Sequence, residues 1–154
     1  MRRDHGGGAA GVLALERFLP YRLSVLSNTV SGAIAAQYSD RFDLSIPEWR
    51  VMAVLGRFPG LSAVEVAERT AMDKVQVSRA VNRLMKAKRL QRLTDAADGR
   101  VRRLSLSPKG QVVYAQIVPV AQSFETRLEE ALTDAERKAL DALLAKLTDA
   151  ARRL

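Results

Sequence analysis

Asp73-Lys-Val-Gln-Val-Ser-Arg-Ala-Val-Asn-Arg-Leu-Met-Lys-Ala87 decides the fold. Asp73, with Gln76 three residues on, reads as a helix start, because the aspartate oxygen takes an amide that a first turn leaves unpaired. Val77, Ala80, Val81 and Leu84 recur at three- and four-residue spacing and share the face that packs inward. The opposite side then shows Val75, Gln76, Arg79, Asn82, Arg83 and Lys86, with Lys74 and Ser78 on its flanks. Long, donor-rich and mostly cationic, this set suits base edges and phosphates in a major groove. Arg79 and Arg83 are four apart and can face one groove. Gln76 sits where recognition helices approach bases. Val75 either touches a thymine methyl or is an exposed valine. Taken alone, the face is equally a solvated basic surface.

The neighbouring sequence narrows that choice. Ser62-Ala-Val-Glu65 is a capping box opening a short helix to about Thr70, and Thr70-Ala-Met-Asp73 is a tight link to the basic helix. Two helices so joined make a helix-turn-helix. Downstream, Leu90–Thr94 and Val101–Leu106 read as strands, since Leu104 and Leu106 alternate with polar residues. Asp95-Ala-Ala-Asp-Gly-Arg100 between them is turn-rich, which makes a hairpin and hence a wing. Arg100 at its tip either pairs locally with Asp98 or enters a narrow, A·T-rich minor groove; both hold if Asp98 orients the guanidinium. Lys88, Arg89, Arg92, Arg102 and Arg103 are positioned for flanking phosphates.

Helix signals continue towards both ends. Pro20 to Tyr38 carries Leu23, Leu26, Val30, Ala33 and Ile34 at helical spacing. Ser45-Ile-Pro-Glu48 is a further capping box, opening a helix that stops at Phe58-Pro59-Gly60. Ser107-Pro108 caps a long helix in which Pro119 predicts a kink, and Thr133-Asp-Ala-Glu136 opens a last one with Leu140, Leu143, Leu144 and Leu147. The fold class is mainly α with a small β-wing. Residues 1–17 read as a flexible tail and 18–154 as one domain: a winged helix-turn-helix over about 45–107, flanked by dimerisation helices over about 18–40 and 108–154. The flanking stripes lie outside the winged core and must bury themselves, on each other or on a second copy of the chain. The second copy is the expectation.

Composition excludes much else. At 154 residues there is room for one ordinary domain, and no apolar run approaches the ~18 residues of a membrane span. The chain reads as soluble and cytoplasmic, with no membrane partner. It has no cysteine, and its single histidine, His5, lies in a Gly-rich tail. No catalytic residue, cofactor or metal site is expected, and the chain does not read as an enzyme. Net charge is +8. Between Met72 and Lys109 eleven Lys or Arg face three Asp, while the remaining fourteen basic and fourteen acidic residues cancel. The whole excess falls on the basic helix and hairpin, which points to one surface for a polyanion, double-stranded DNA.

Lys74-Val-Gln-Val-Ser-Arg-Ala-Val-Asn-Arg-Leu84, Leu90-Gln-Arg92, Asp98-Gly-Arg100 and Leu104-Ser-Leu-Ser-Pro-Lys-Gly110 together resemble the multiple-antibiotic-resistance regulator (MarR) family. Leu44-Ser-Ile-Pro-Glu-Trp-Arg-Val-Met52 is similar to the start of that family's second helix, and the element order is similar from about Phe18 to the C-terminus. The resemblance implies a homodimeric winged-helix transcription factor, usually a repressor, whose DNA binding is relieved by small, often aromatic anionic ligands. Two positions depart from the family pattern. Lys88 stands where the family usually has Gly, so the turn needs a left-handed lysine or another exit. Gly99 replaces an arginine in the wing tip.

The resemblance also places an effector site among the first, second and fifth helices, where Tyr21, Arg22, Asn28, Trp49, Arg50 and Tyr114 are the candidates. Arginine beside aromatic rings suits a carboxylate on an apolar body; the same residues equally serve packing and dimer contacts. The functional expectation is a sequence-specific repressor, dimeric on a pseudo-palindromic operator and responsive to a small anionic aromatic effector. The alternative is an architectural protein that binds DNA without sequence choice. Gln76, Ser78 and Asn82 among the arginines favour the first, since phosphate binding needs no amides.

Overall fold

The computed structural model describes residues 11–100 and 102–154. The start of the expected tail, with His5, and Val101 of the expected second strand lie outside the described residues. Of the remaining tail, Leu15–Arg17 form one 3₁₀ turn before the first long helix. The order is then α1 (Leu19–Phe42), α2 (Ile46–Arg57), α3 (Ala63–Thr70), α4 (Lys74–Lys86), β1 (Leu90–Thr94), β2 (Arg102–Leu106), α5 (Pro108–Glu129) and α6 (Asp134–Ala151). Mainly helical with one two-stranded antiparallel sheet, this is the expected winged helix-turn-helix between flanking helices. Among the described residues, no helix is long and apolar enough to cross a membrane.

Caps set the helix starts. Ser62 and Glu65, and Thr133 and Glu136, form complete capping boxes, and Asp73 accepts the Gln76 amide at 2.8 Å. At α2 the expected box is half made. Ser45 accepts from the Glu48 amide, but the Glu48 carboxylate turns away from the Ser45 backbone and is buried. α1 runs on to Phe42, past the expected end near Tyr38 or Asp40. It stops where Asp43 takes a left-handed conformation (φ 48°), which a short polar side chain tolerates. α5 continues through Pro119 as one helix.

The α4 phase is as read: Val77, Ala80, Val81 and Leu84 are buried, against Val51, Met52 and Leu55 of α2 and Val66 of α3. The hairpin pairs Leu90 with Leu106 and Arg92 with Leu104, so three leucines close the core beneath the wing. One pairing has no signal in the strand pattern. Leu104 also bridges Leu61 on its other edge, through bonds of 2.8 Å to Gly60 and Leu61. Gly60, at φ +84°, turns the chain into that bridge.

The exit from α4 shows how Lys88 replaces the usual glycine. Lys88 is left-handed (φ 57°). Its amide donates to Met85 and that of Arg89 to Leu84, the paired bonds of a Schellman motif. The turn then docks on the start of α5. Ser107 donates its amide to the Arg89 carbonyl at 3.0 Å and its hydroxyl to the Lys88 carbonyl at 2.6 Å. That hydroxyl accepts from the Gly110 amide. A Cβ at Gly110 would fall on the Arg89 carbonyl oxygen, which explains glycine three residues after the cap. On helix propensity alone, Gly110→Ala would stabilise the chain by roughly 0.5–1 kcal/mol. The backbone contact should reverse the sign, to a loss of about 1–3 kcal/mol or more in denaturant unfolding. A stabilised variant would contradict this packing.

Candidate nucleic-acid interface

Along α4, Val75, Arg79, Asn82 and Lys86 follow one another at four-, three- and four-residue spacing, all exposed. The other expected contacts lie to either side of this stripe. Gln76, Arg79, Asn82 and Arg83 line a cleft of about 490 Å³ against Ser45, Pro47 and Glu48 at the start of α2. Lys74, Ser78 and Arg92 line a smaller hollow of about 130 Å³ with Ala63 and Val64 of α3. The basic helix thus lies exposed between two shallow concavities, with its polar side chains divided between them. Such a ridge has the dimensions and chemistry for a major groove.

The wing cations have separate fates. Aspartates build the tip: Asp95 accepts the Ala97 and Asp98 amides, and Asp98 accepts the Arg100 amide at 3.0 Å. Asp98 therefore fixes the Arg100 backbone and does not orient its guanidinium, the role that sequence position had offered it; the Arg100 side chain is exposed. Arg102 donates to Thr94 across the hairpin at 2.6 Å. Arg103, expected among the phosphate contacts, is gripped by two carboxylates, Asp95 at 2.8 Å and Glu65 at 2.9 Å. It clamps the wing to α3. Arg89 also departs from the phosphate expectation: half-buried, it donates to the Phe42 carbonyl at the C-terminus of α1, where a cation meets the helix dipole.

The second candidate site divides. Trp49 lies between Tyr38 and Tyr114, with ring centroids 5.8 and 5.9 Å away. Tyr114 covers Gly56, whose Cβ would strike its ring. Burial pushes the Tyr38 hydroxyl up to about 12, so this ring is neutral and packs. Arg50 meets Trp49 and Tyr38 in a small hollow of about 110 Å³ with Ser31, Ile34 and Ile46, and also shares with Asn28 an open groove of about 530 Å³ with Leu23, Ser24, Ser27, Ser31, Thr70 and Ala71. Arg50 donates to Ser31 at 3.3 Å. Tyr21 and Arg22 are exposed on α1 and do not line it. The serines were missed by the sequence reading, although Ser24, Ser27 and Ser31 carry a helical spacing.

Residues 42–101 match the sequence model of the MarR family. The transcriptional regulator HosA of Escherichia coli is 27% identical over 105 residues, which cover 68% of this chain and 78% of HosA. The crystal structure of a MarR/EmrR family transcriptional regulator from Acinetobacter sp. ADP1 superposes with a TM-score of 0.84 at 25% identity, over 92% of this chain and all of that one. The matching residues form a MarR-family domain. As a MarR-family protein it is a DNA-binding transcriptional regulator, and the α3–α4 unit with its wing is the family's winged helix-turn-helix. BpsR of Bordetella bronchiseptica is a further neighbour, at 26% identity and TM-score 0.76 over 90% of this chain and 99% of that one. The DNA binding of BpsR is regulated by 6-hydroxynicotinic acid.

The clamp predicts a pH response. Arg103 holds the Asp95 carboxyl below the usual carboxylate range, helped by the Ala97 and Asp98 amides. Ser62 lowers Glu65 through its cap bonds, with Arg103 adding to the effect. A carboxyl whose folded pKa is depressed stabilises the fold above its unfolded value, and that contribution is lost as pH falls through the folded one. Arg103→Ala should therefore lower hydrogen-exchange protection in β1 and β2 at neutral pH. The gap from wild type should close below about pH 4, as the carboxyls protonate. Equal protection at neutral pH would show that the clamp does not hold the wing.

Proposed function

We propose that this MarR-family regulator is a sequence-specific repressor that works as a homodimer on a pseudo-palindromic operator and is released by a small anionic effector. One observation carries the dimer. Leu19, Leu23, Val25 and Leu26 on α1, and Leu140, Leu143, Leu144 and Leu147 on α6, are exposed, and no residue of α6 is buried. Two helices with unburied leucine stripes need a partner, and a second copy supplies matching ones about a twofold axis. Two recognition helices then face two half-sites, which is the logic of a palindromic operator.

Sequence choice is supported by Gln76, Ser78 and Asn82, which stand exposed among the cations of α4. In this reading Lys74, Arg79, Arg83 and Lys86 supply base and phosphate contacts, Val75 a methyl contact, Arg100 the minor groove and Arg102 a phosphate. Arg103 acts through the wing. The groove with Arg50 and Asn28 suits the carboxylate of an aromatic acid, the class to which the BpsR ligand belongs. Trp49 and Tyr114 frame the junction, and the exposed Tyr21 and Arg22 are free to meet the second copy. The protein acts by binding, not as an enzyme, on DNA in the cytoplasm.

Selection of duplexes from a random pool by the full-length chain, with sedimentation of the free protein, tests this. A dimer and a two-fold related consensus are expected. Truncation after Thr133 should give monomers or insoluble protein; a folded full-length monomer that binds DNA would overturn the reading. Arg79→Ala should cost roughly 1–3 kcal/mol on the selected duplex and relax base preference. An equal loss on competitor DNA would make Arg79 a phosphate contact. Arg100→Ala should weaken binding most where the flanks are A·T-rich; an equal loss on G·C-rich flanks would assign it no groove role.

A further inference from the structure

The half-made cap at α2 has a chemical reason. Glu48 is 3% exposed, although it occupies the first turn of α2 and could bond the Ser45 backbone there. Its carboxylate instead accepts the Ser45 hydroxyl at 2.8 Å and forms an ion pair with Nε of Arg83 at 3.1 Å. Arg83 belongs to α4, and its side chain is 63% exposed. An arginine has five N–H donors in a planar fork. The ion pair at Nε anchors the guanidinium from the protein side, and its Nη nitrogens have no protein partner among the described hydrogen bonds and ion pairs. Two donors of one guanidinium fork form the pair that bonds guanine O6 and N7.

A buried carboxylate is an odd neighbour for a surface that binds a polyanion. It opposes phosphates and demands a partner of its own. Arg89 and Arg103 show what arginines look like when they serve only the fold. Both are half-buried, and each gives a terminal nitrogen to a protein oxygen, Arg89 to Phe42 and Arg103 to Glu65, with Nε of Arg103 on Asp95 as well. Arg83 has only its inner nitrogen paired, and it lines the cleft with Gln76, Arg79 and Asn82.

From this geometry we infer that Glu48 is a positioning residue for base recognition: it orients the Arg83 guanidinium so that its outer edge reads one guanine of each half-site. The inference rests on the sequence-specific reading above. Orientation before binding removes rotamer freedom that Arg83 would otherwise lose on the DNA, so the benefit appears in selectivity. Loss of a negative charge by itself has the opposite effect, since it strengthens binding to any duplex. The two effects therefore separate by sign.

The test uses the full-length chain, the duplex it selects, that duplex changed at each base pair, and a random competitor. Glu48→Gln should bind competitor DNA as well as wild type or better. It should lose about tenfold in selectivity at one symmetric guanine position, the worth of one good bidentate contact. Arg83→Lys keeps the charge but loses Nε and the fork, and should lose selectivity at the same position. In an Arg83→Ala background, Glu48→Gln should change base preference no further. If Glu48→Gln lowers selectivity equally there, or lowers selected and competitor binding together, it acts through the fold and the inference fails. If Glu48→Gln melts too early to assay, Arg83→Lys decides alone: undiminished selectivity at every position overturns the proposal. A wild-type chain with no preference over competitor overturns this inference and the sequence-specific reading together.

Discussion

Three parts of the chain meet at the two residues that leave α4. Lys88 and Arg89 give their carbonyls to Ser107 at the head of α5, and Arg89 sends its guanidinium to the last carbonyl of α1. Gly110 brings the α5 backbone against the same turn. The recognition helix is therefore bolted at its C-terminal end to both flanking helices, and its register against them is fixed by backbone groups with little room to slide. The hairpin and the α6 stripe both hang from this joint, because β1 leaves it directly and α5 carries α6 away from it. A left-handed lysine at the joint costs the chain on the order of 1–2 kcal/mol relative to glycine. The paired bonds of the Schellman turn offset part of that cost.

Much of this was legible beforehand, for definite reasons. Val77, Ala80, Val81 and Leu84 fix the phase of α4 because a 3.6-residue period allows them only one common face. Ser62 and Thr133 mark helix starts because their cap partners are three residues away in sequence. Such local signals reach only a few residues. The sequence offers both Arg100, at the wing tip, and Arg103, on the strand, to DNA, yet Asp95 and Glu65 claim one and leave the other exposed. Glu65 lies 38 residues from Arg103, and no local pattern encodes a distance of that kind. Glu48 misled for the same reason: Ser-x-x-Glu predicts a box, and Arg83, far along the chain on α4, takes the carboxylate out of it. The effector candidates divided on packing. Aromatic residues were chosen for their type, but the groove beside Arg50 is lined by serines whose small side chains leave the space open.

The basic segment thus contains two populations of cation. Arg89 and Arg103 hold the scaffold together, with carbonyls or carboxylates as permanent partners. Arg79, Arg100, Lys74 and Lys86 have no side-chain partner among the described hydrogen bonds and ion pairs. Arg83 belongs to both. The +8 excess read from composition overstates the charge free to meet a polyanion, and the excess that matters is set by the acidic residues folded in beside it.

Trp49 is the chain's one tryptophan, and it is held between two tyrosines at the junction of α1, α2 and α5. No aromatic residue lies between Pro59 and Val113, so the helix-turn-helix, the recognition helix and the wing are optically blank. The chain therefore carries a native fluorophore at the junction of α1, α2 and α5 and none on the surface proposed to meet DNA. A change in its emission when DNA is added reports the helix junction, and the unlabelled protein is its own gauge of how far the groove beside Arg50 and the recognition helix are coupled.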